Sequence, residues 1–212
     1  MTKVYIVRHG ETEWNVAGKM QGCKDSNLTP LGVEQAKWLG ERLRDKHIDR
    51  IYSSPLYRAR HTAELIKGER DIEILDEHDL RELELGEWEG LRKCDVEKID
   101  KHNMLNFWEN TEAFNPPNGA ESFYELVDRA YNVIMKLVRE NKDKTILIVS
   151  HTITIKSFMA ELQGHGVKGV WNPPFLKQTS LTEIDFNDEE FNIIMNADTS
   201  HYKEEVVLGK GV

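Results

Sequence analysis

Long apolar runs are missing from this chain: none approaches the roughly 20 residues that a membrane helix needs. The opening MTKVYIV has neither the extended apolar region nor the small-residue cleavage site of a secretory leader. Cysteine is scarce too. Cys23 and Cys94 are the only two in 212 residues, which excludes a disulfide scaffold. The expectation is two free thiols in a reducing cytoplasm. Basic charge is in deficit, with 28 Lys and Arg against 37 Asp and Glu and a formal net charge of −9. Nucleic acid and anionic membrane surfaces are therefore excluded as expected partners. An anionic ligand would have to be held by a local cluster of Arg and His. Repeats and low-complexity tracts are absent as well.

What is present is an alternation of strands and helices. Val4–Val7, Ile51–Tyr52, Ile72–Leu75 and Ile146–Val149 read as strands, the first and last apolar enough to be buried on both faces. Thr29-Pro30 supplies an N-cap and a first-turn proline for a helix carrying Ala36, Leu39, Gly40 and Leu43. Pro55 opens a second helix, running to about Lys67. A third, from about Glu121 to Glu140, places Phe123, Leu126, Val127, Ala130, Val133, Ile134 and Leu137 on one stripe. A fourth follows Thr152. Ser180–Phe186 and Phe191–Met195 read as two strands joined by a turn at Asn187-Asp188. The implied fold class is α/β: a three-layer α/β/α sandwich with a mostly parallel sheet and helices on both faces. Residues 86–119 fit this pattern poorly. They hold Trp88, Phe107, Trp108, Phe114 and the run Asn115-Pro116-Pro117-Asn118-Gly119, and read as a cap inserted into a single domain spanning 1–212.

Two apolar strands end in histidine. Val4–Val7 runs into Arg8-His9-Gly10, and Ile146–Val149 into Ser150-His151, 142 positions further on (151 − 9). Ligands of open α/β sheets bind beyond the carboxyl ends of the strands, so neighbouring parallel strands would bring His9 and His151 to one crevice. Arg8 and Arg58, the latter in the first turn after Ser53-Ser54-Pro55, offer rigid forks of donors suited to phosphate or carboxylate oxygens. Phosphoryl transfer needs such donors, a nucleophile with a free lone pair and an acid for the leaving oxygen. Leu80–Gly90 supplies carboxylates after a strand, and alternation alone does not choose between Glu82 and Glu84. Neither HxxxH nor HxH spacing surrounds the two histidines, which counts against a metal site.

Arg8-His9-Gly10-Glu11-Thr12 with Asn15 resembles the RHGET signature of the histidine phosphatase superfamily, also called phosphoglycerate mutase-like. The likeness continues through Gln21-Gly22, Leu28-Thr29, Ser53-Ser54-Pro55, Arg58-Ala59, Thr62-Ala63, Leu80-Arg81-Glu82, Trp88-Glu89-Gly90, Glu121-Ser122 and Ser150-His151. The Leu-Arg-Glu version and the tail Asp198-Thr199-Ser200-His201 resemble the broad-specificity bacterial (PhoE-type) phosphatase branch.

The resemblance implies His9 as a nucleophile that carries the phosphoryl group and Glu82, rather than Glu84, as proton donor and later base. It implies Arg8, Arg58 and His151 as holders of the phosphoryl oxygens, with Asn15, Gln21 and Gly22 as further donors. No metal or cofactor is implied, and the partner is a small-molecule phosphomonoester. Thr152 stands where many members have glycine; a positive φ there would strain it, and otherwise its amide and hydroxyl face the phosphate. A mutase would need further cations for a second phosphate, and Arg92, Lys93, Lys98 and Lys101 lie in the cap. The missing long insertion of the glycolytic mutases favours hydrolysis.

Overall fold

The computed structural model describes residues 1–188 and 190–203. One six-stranded sheet runs through it, in the order β3-β2-β4-β1-β5-β6. Its strands are β1 (Thr2–Arg8), β2 (Arg50–Ser53), β3 (Ile74–Asp76), β4 (Thr145–Ser150), β5 (Leu181–Asn187) and β6 (Glu190–Asp198). The four strands from β3 to β1 are parallel, and β5 and β6 add an antiparallel edge. The helices are α1 (Glu13–Val16), α2 (Pro30–Arg42), α3 (Tyr57–Lys67), α4 (Lys93–Ile99), α5 (Lys101–Glu109), α6 (Phe123–Glu140) and α7 (Thr152–Leu162).

Successive side chains of a strand face opposite ways, and the central strands are apolar in both directions. Val4, Ile6, Ile146 and Ile148 pack with α6 and α7, while Tyr5, Val7, Leu147 and Val149 pack with α2 and α3. The result is the three-layer sandwich. Local chemistry sets the helix starts. Thr29 Oγ1 accepts the Gly32 N–H at 3.0 Å, with Pro30 at the first helical position. Ser122 and Glu125 form a reciprocal capping box for α6, so that helix begins at Phe123 rather than Glu121.

Two further expectations need correction. Helix α3 begins at Tyr57, two residues beyond Pro55, because the Asp25 carboxylate from a distant loop accepts the Tyr57 and Arg58 N–H groups. Leu80–Glu84 does not follow on from a strand: β3 ends at Asp76, and a single 3-10 turn covers His78–Leu80. That irregular chain is gripped from both sides. Ser150 Oγ donates to Leu80 O at 2.7 Å, and Arg129 of α6 donates to Asp79 O (2.6 Å) and Arg81 O (3.0 Å). Residues 86–119 contain α4 and α5.

That segment is built around Phe107, whose ring centroid lies between 4.9 and 6.0 Å from those of Trp88, Trp108, Phe114, Phe123 and Trp171. Edge-on aromatic contacts of this kind fix ring orientation as well as burying area. Among the described residues no helix is long and apolar enough to cross a membrane.

The first turn of α2 is pressed against the chain that leaves β1. A Cβ on Gly32 would lie 2.1 Å from Glu11 O, and one on Gly10 would lie 2.6 Å from Gly32 O. Both neighbours are backbone and cannot swing aside. Gly32→Ala is therefore expected to destabilise the fold by roughly 1–3 kcal/mol, as overpacking does, and to displace the Arg8–Glu11 loop. Denaturant unfolding would show the loss. An unchanged midpoint would contradict this contact.

Candidate active site

The register of two strands sets the first element of the site. Arg8 of β1 pairs with Ser150 of β4, and the His9 N–H donates to Ser150 O at 3.0 Å. His9 and His151 consequently leave the sheet side by side, their ring centroids 5.2 Å apart. His9 is 3% exposed, and its Nδ1 lies 2.7 Å from Gly10 O. A carbonyl only accepts, so Nδ1 carries the proton and Nε2 of the neutral ring keeps its lone pair. Burial drives the pKa of His9 well below 6.5, and the positive charges of Arg58 and Arg8 push the same way.

His151 is fully buried. Its Nε2 is 2.7 Å from Ser54 Oγ, and its Nδ1 is buried without a partner. Its pKa is also well below 6.5, through burial first and Arg58 second.

Two guanidinium groups flank the histidines. Arg8 is 6% exposed and donates Nη1 to Leu176 O at 2.6 Å, while its Nε is buried with no partner. Among the described residues it makes no ion pair. Burial lowers its pKa to about 10, so at neutral pH it is a buried cation without a counter-ion. Arg58 is 1% exposed and sits on the first turn of α3. It donates to Lys24 O (2.8 Å), Asp25 Oδ1 (3.0 Å) and Gly22 O (2.7 Å), and its Nε is likewise an orphan donor. The Gln21-Gly22 loop is thus the anchor of Arg58 as well as part of the cavity wall.

Arg8, His9, Asn15, Gln21, Gly22, Arg58, Glu82 and Thr152 line one cavity; His151 is not among the lining residues. Asn15 gives its carbonyl oxygen to the Thr12 N–H at 3.1 Å, leaving its amide as a donor. Gln21 Oε1 accepts from Ser26 Oγ at 3.3 Å, with the same consequence. Thr152 is the first residue of α7 and is not in the left-handed region, so the β-branched side chain is unstrained there. Its N–H belongs to the first turn, whose donors have no partner inside the helix.

Glu82 accepts the next two N–H groups of that turn: Ile153 to Oε2 at 3.1 Å and Thr154 to Oε1 at 3.0 Å. Leu83 N–H adds a third bond at 3.0 Å. Glu84 pairs with Arg81 and lies outside the cavity that Glu82 lines. Cys23 Sγ donates to Glu82 O at 3.4 Å. Its thiol is pushed up to about 12 by burial and by Glu84 and Glu89, so it stays protonated.

Sequence reasoning missed a further layer. The Thr179 N–H donates to Arg8 O at 3.0 Å, and Leu176 O receives the Arg8 side chain, so one loop holds this residue at both ends. Thr179 is fully buried at φ +50, costly for a β-branched residue and sustained only by its surroundings. Those surroundings are the tail: Thr179 Oγ1 meets His201 Nε2 at 3.1 Å, Tyr202 hydroxyl donates to Gln178 O, and Arg42 holds Asp198 at 2.6 Å. Asp198–His201, noted only as a family likeness, is the back support of the Arg8–His9 pair. No local pattern marks Leu176 or Thr179.

The chain belongs to the histidine phosphatase superfamily (branch 1), which it matches over residues 4–199. It is 28% identical to the metal-independent phosphoserine phosphatase of Arabidopsis thaliana over 100% of this chain and 87% of that one. The solved structure of Bacillus stearothermophilus YhfR superposes with a TM-score of 0.92 at 35% identity, covering 95% and 99% of the two chains. Entamoeba histolytica phosphoserine phosphatase in complex with 3-phosphoglyceric acid gives 0.83 at 32%, with the same coverage.

Three buried imidazoles make stability depend on pH. His9 and His151 titrate well below 6.5 in the folded chain, and His201 is lowered to about 4 by burial and Arg42. Below pH 6.5 the unfolded chain takes up protons that the folded chain refuses. Stability therefore has no contribution to slope from these groups above 6.5, and falls as pH drops from 6.5 towards 4. Each imidazole that stays neutral adds about 1.4 kcal/mol per pH unit to the fall. Denaturant unfolding at pH 7.5, 6 and 5 is expected to show the decline; a flat profile would contradict the assigned neutral rings.

Proposed function

We propose that the chain hydrolyses small phosphate monoesters by two phosphoryl transfers, from the ester to His9 and from His9 to water. The observation that carries this reading is the pairing of a histidine whose Nε2 is unprotonated with a buried arginine that makes no ion pair among the described residues. A phosphate ester satisfies both: its phosphorus takes the lone pair, and its oxygens take the orphan donors.

His9 Nε2 attacks phosphorus, and the bond from phosphorus to the ester oxygen breaks. Charge builds on three equatorial oxygens, to which Arg8, Arg58, Asn15, Gln21 and the Thr152 amide supply donors, with His151 Nδ1 behind them. Fixed donors of this kind need no reorganisation as the charge develops. Glu82 protonates the leaving oxygen. Glu82 lines the cavity with His9, and its carboxyl group is fixed there by the N–H groups of Leu83, Ile153 and Thr154. The resulting carboxylate then takes a proton from water as that water attacks the phosphohistidine, releasing inorganic phosphate and neutral His9.

The chain is an enzyme of the phosphatase type, and the Arabidopsis relative named as metal-independent supports catalysis by side chains alone. In this reading residues 1–212 act as one domain, with 86–119 capping the site, in the cytoplasm that the free thiols suit. Of the four cap cations weighed as a second phosphate site, only Lys93 lines the cavity. That favours hydrolysis over a mutase reaction.

Native protein should hydrolyse p-nitrophenyl phosphate in excess chelator, and His9→Ala should lose about 10³-fold or more. Glu82→Gln should cost alkyl phosphates about 10²-fold but nitrophenyl phosphate only a few-fold, since nitrophenolate leaves without a proton. Activity lost to the chelator, or surviving in His9→Ala, would overturn the reading. Equal losses for both leaving groups would take the acid role from Glu82.

A further inference from the structure

A second cavity, of about 260 Å³, shares a partition with the catalytic one. Within 171–176, Trp171 and Phe175 line the catalytic cavity, while Asn172, Pro173, Pro174 and Leu176 line the second. Helix α7 is divided in the same way. Thr152 and Ile153 belong to the first cavity, and Lys156, Met159 and Ala160 to the second. No residue lines both, so the two are separate sites.

Lys156 is the feature that calls for a ligand. It is 8% exposed, and its Nζ donates to Asn172 O at 2.6 Å and Pro174 O at 3.1 Å. An ammonium group has three donors, so one is left. Among the described residues no Asp or Glu lines this cavity, in a chain that carries 37 of them. Burial lowers the pKa of Lys156 from the ordinary lysine value. A cation taken out of water without a partner is costly, and an anion placed beside it offsets the loss.

The rest of the wall limits which anion fits. Met159, Ala160, Val170, Pro173, Pro174 and Leu176 are apolar. No second fixed cation is present among the described residues: His165 stands exposed, and Gln163 already donates Nε2 to Met159 O at 3.0 Å. Asn196 Oδ1 accepts from Thr182 Oγ1 at 3.2 Å, which leaves the Asn196 amide group to donate into the cavity it lines. A phosphate dianion brings more charge and more acceptor oxygens than one ammonium and a spare amide can meet. A carboxylate with a short apolar body matches them, in the usual manner of a mostly apolar pocket with a few placed polar groups.

We propose that this cavity is a binding site for a small organic carboxylate, held by Lys156 and Asn196 with its apolar body against Met159, Val170 and Leu176. The carboxylate takes the third donor of the ammonium group, so the bonds to Asn172 O and Pro174 O stay intact. Those bonds hold the segment whose Leu176 O receives Arg8 Nη1 at 2.6 Å. Bound ligand thus rests against the support of the catalytic cation without entering the catalytic cavity.

Methionine methyl NMR separates the two cavities, because Met159 lines this one and Met20 the catalytic one. The ligand used is butyrate, titrated at constant ionic strength into native protein carrying 13C at its methionine methyl groups. The Met159 resonance, assigned through Met159→Leu, should move with a Kd on the order of 1–10 mM. Met20 reports any binding in the catalytic cavity. Butyramide, the neutral isostere, should bind at Met159 about tenfold more weakly or worse, the scale of one charge-assisted contact. Lys156→Gln, which still donates to the segment's carbonyls, should weaken butyrate by about the same factor. The butyramide comparison needs no variant, so it decides the matter even if Lys156→Gln does not fold. Equal affinity for butyrate and butyramide, unchanged affinity in folded Lys156→Gln, or movement of Met20 alone would overturn the proposal. So would a Met159 resonance unmoved by about 50 mM butyrate, or one moved by inorganic phosphate and not by butyrate.

Discussion

An arginine buried at the end of a central strand, with no ion pair among the described residues, is the constraint around which this molecule is arranged. A guanidinium removed from water is costly unless its donors and its charge are met. The fold meets the donors only in part: Leu176 O takes one, and the Nε remains open. Charge is left for the ligand. Burial first, then the fields of Arg58 and Arg8, keep the adjacent His9 neutral and so preserve its lone pair. Burial and the two guanidinium groups thus prepare both halves of phosphoryl transfer, attraction of the anion and availability of the nucleophile.

Holding that cation in place recruits distant parts of the chain. The loop 176–179 grips Arg8 by its side chain and its backbone, and the tail 198–202 holds the loop. Glu82 is positioned differently, by the N-terminus of α7 and by Arg129 and Ser150 beneath its backbone. Nucleophile, cation and acid therefore come from separate elements with separate supports. A change in the tail should reach Arg8 and His9 before it reaches Glu82.

The layers of the fold and the floor of the site were legible because each rests on a short-range rule. Two-sided apolar strands announced a parallel sheet, Thr29-Pro30 and the stripe from Phe123 to Leu137 announced helices, and histidines at two strand ends announced a crevice. The rest depends on contacts that no local pattern encodes. Asp25 caps α3 from another loop, and Thr179 adopts a backbone conformation its side chain disfavours because His201 holds it there. The carboxylates near Glu82 read as strand-borne, yet that segment is irregular chain fixed by hydrogen bonds from Arg129. Residues 86–119 read as an inserted cap, and no periodic apolar pattern marked the two short helices within it.

The central claim is that Nδ1 of His9 is occupied by Gly10 O and that Nε2 takes the phosphoryl group. Rapid mixing with substrate, an alkaline quench that preserves phosphohistidine, and peptide mapping with 31P NMR would identify the modified nitrogen. A phosphoryl group on His9 at Nε2 is the required result. Phosphorylation at Nδ1, on His151, or on no histidine at all during turnover would contradict the account.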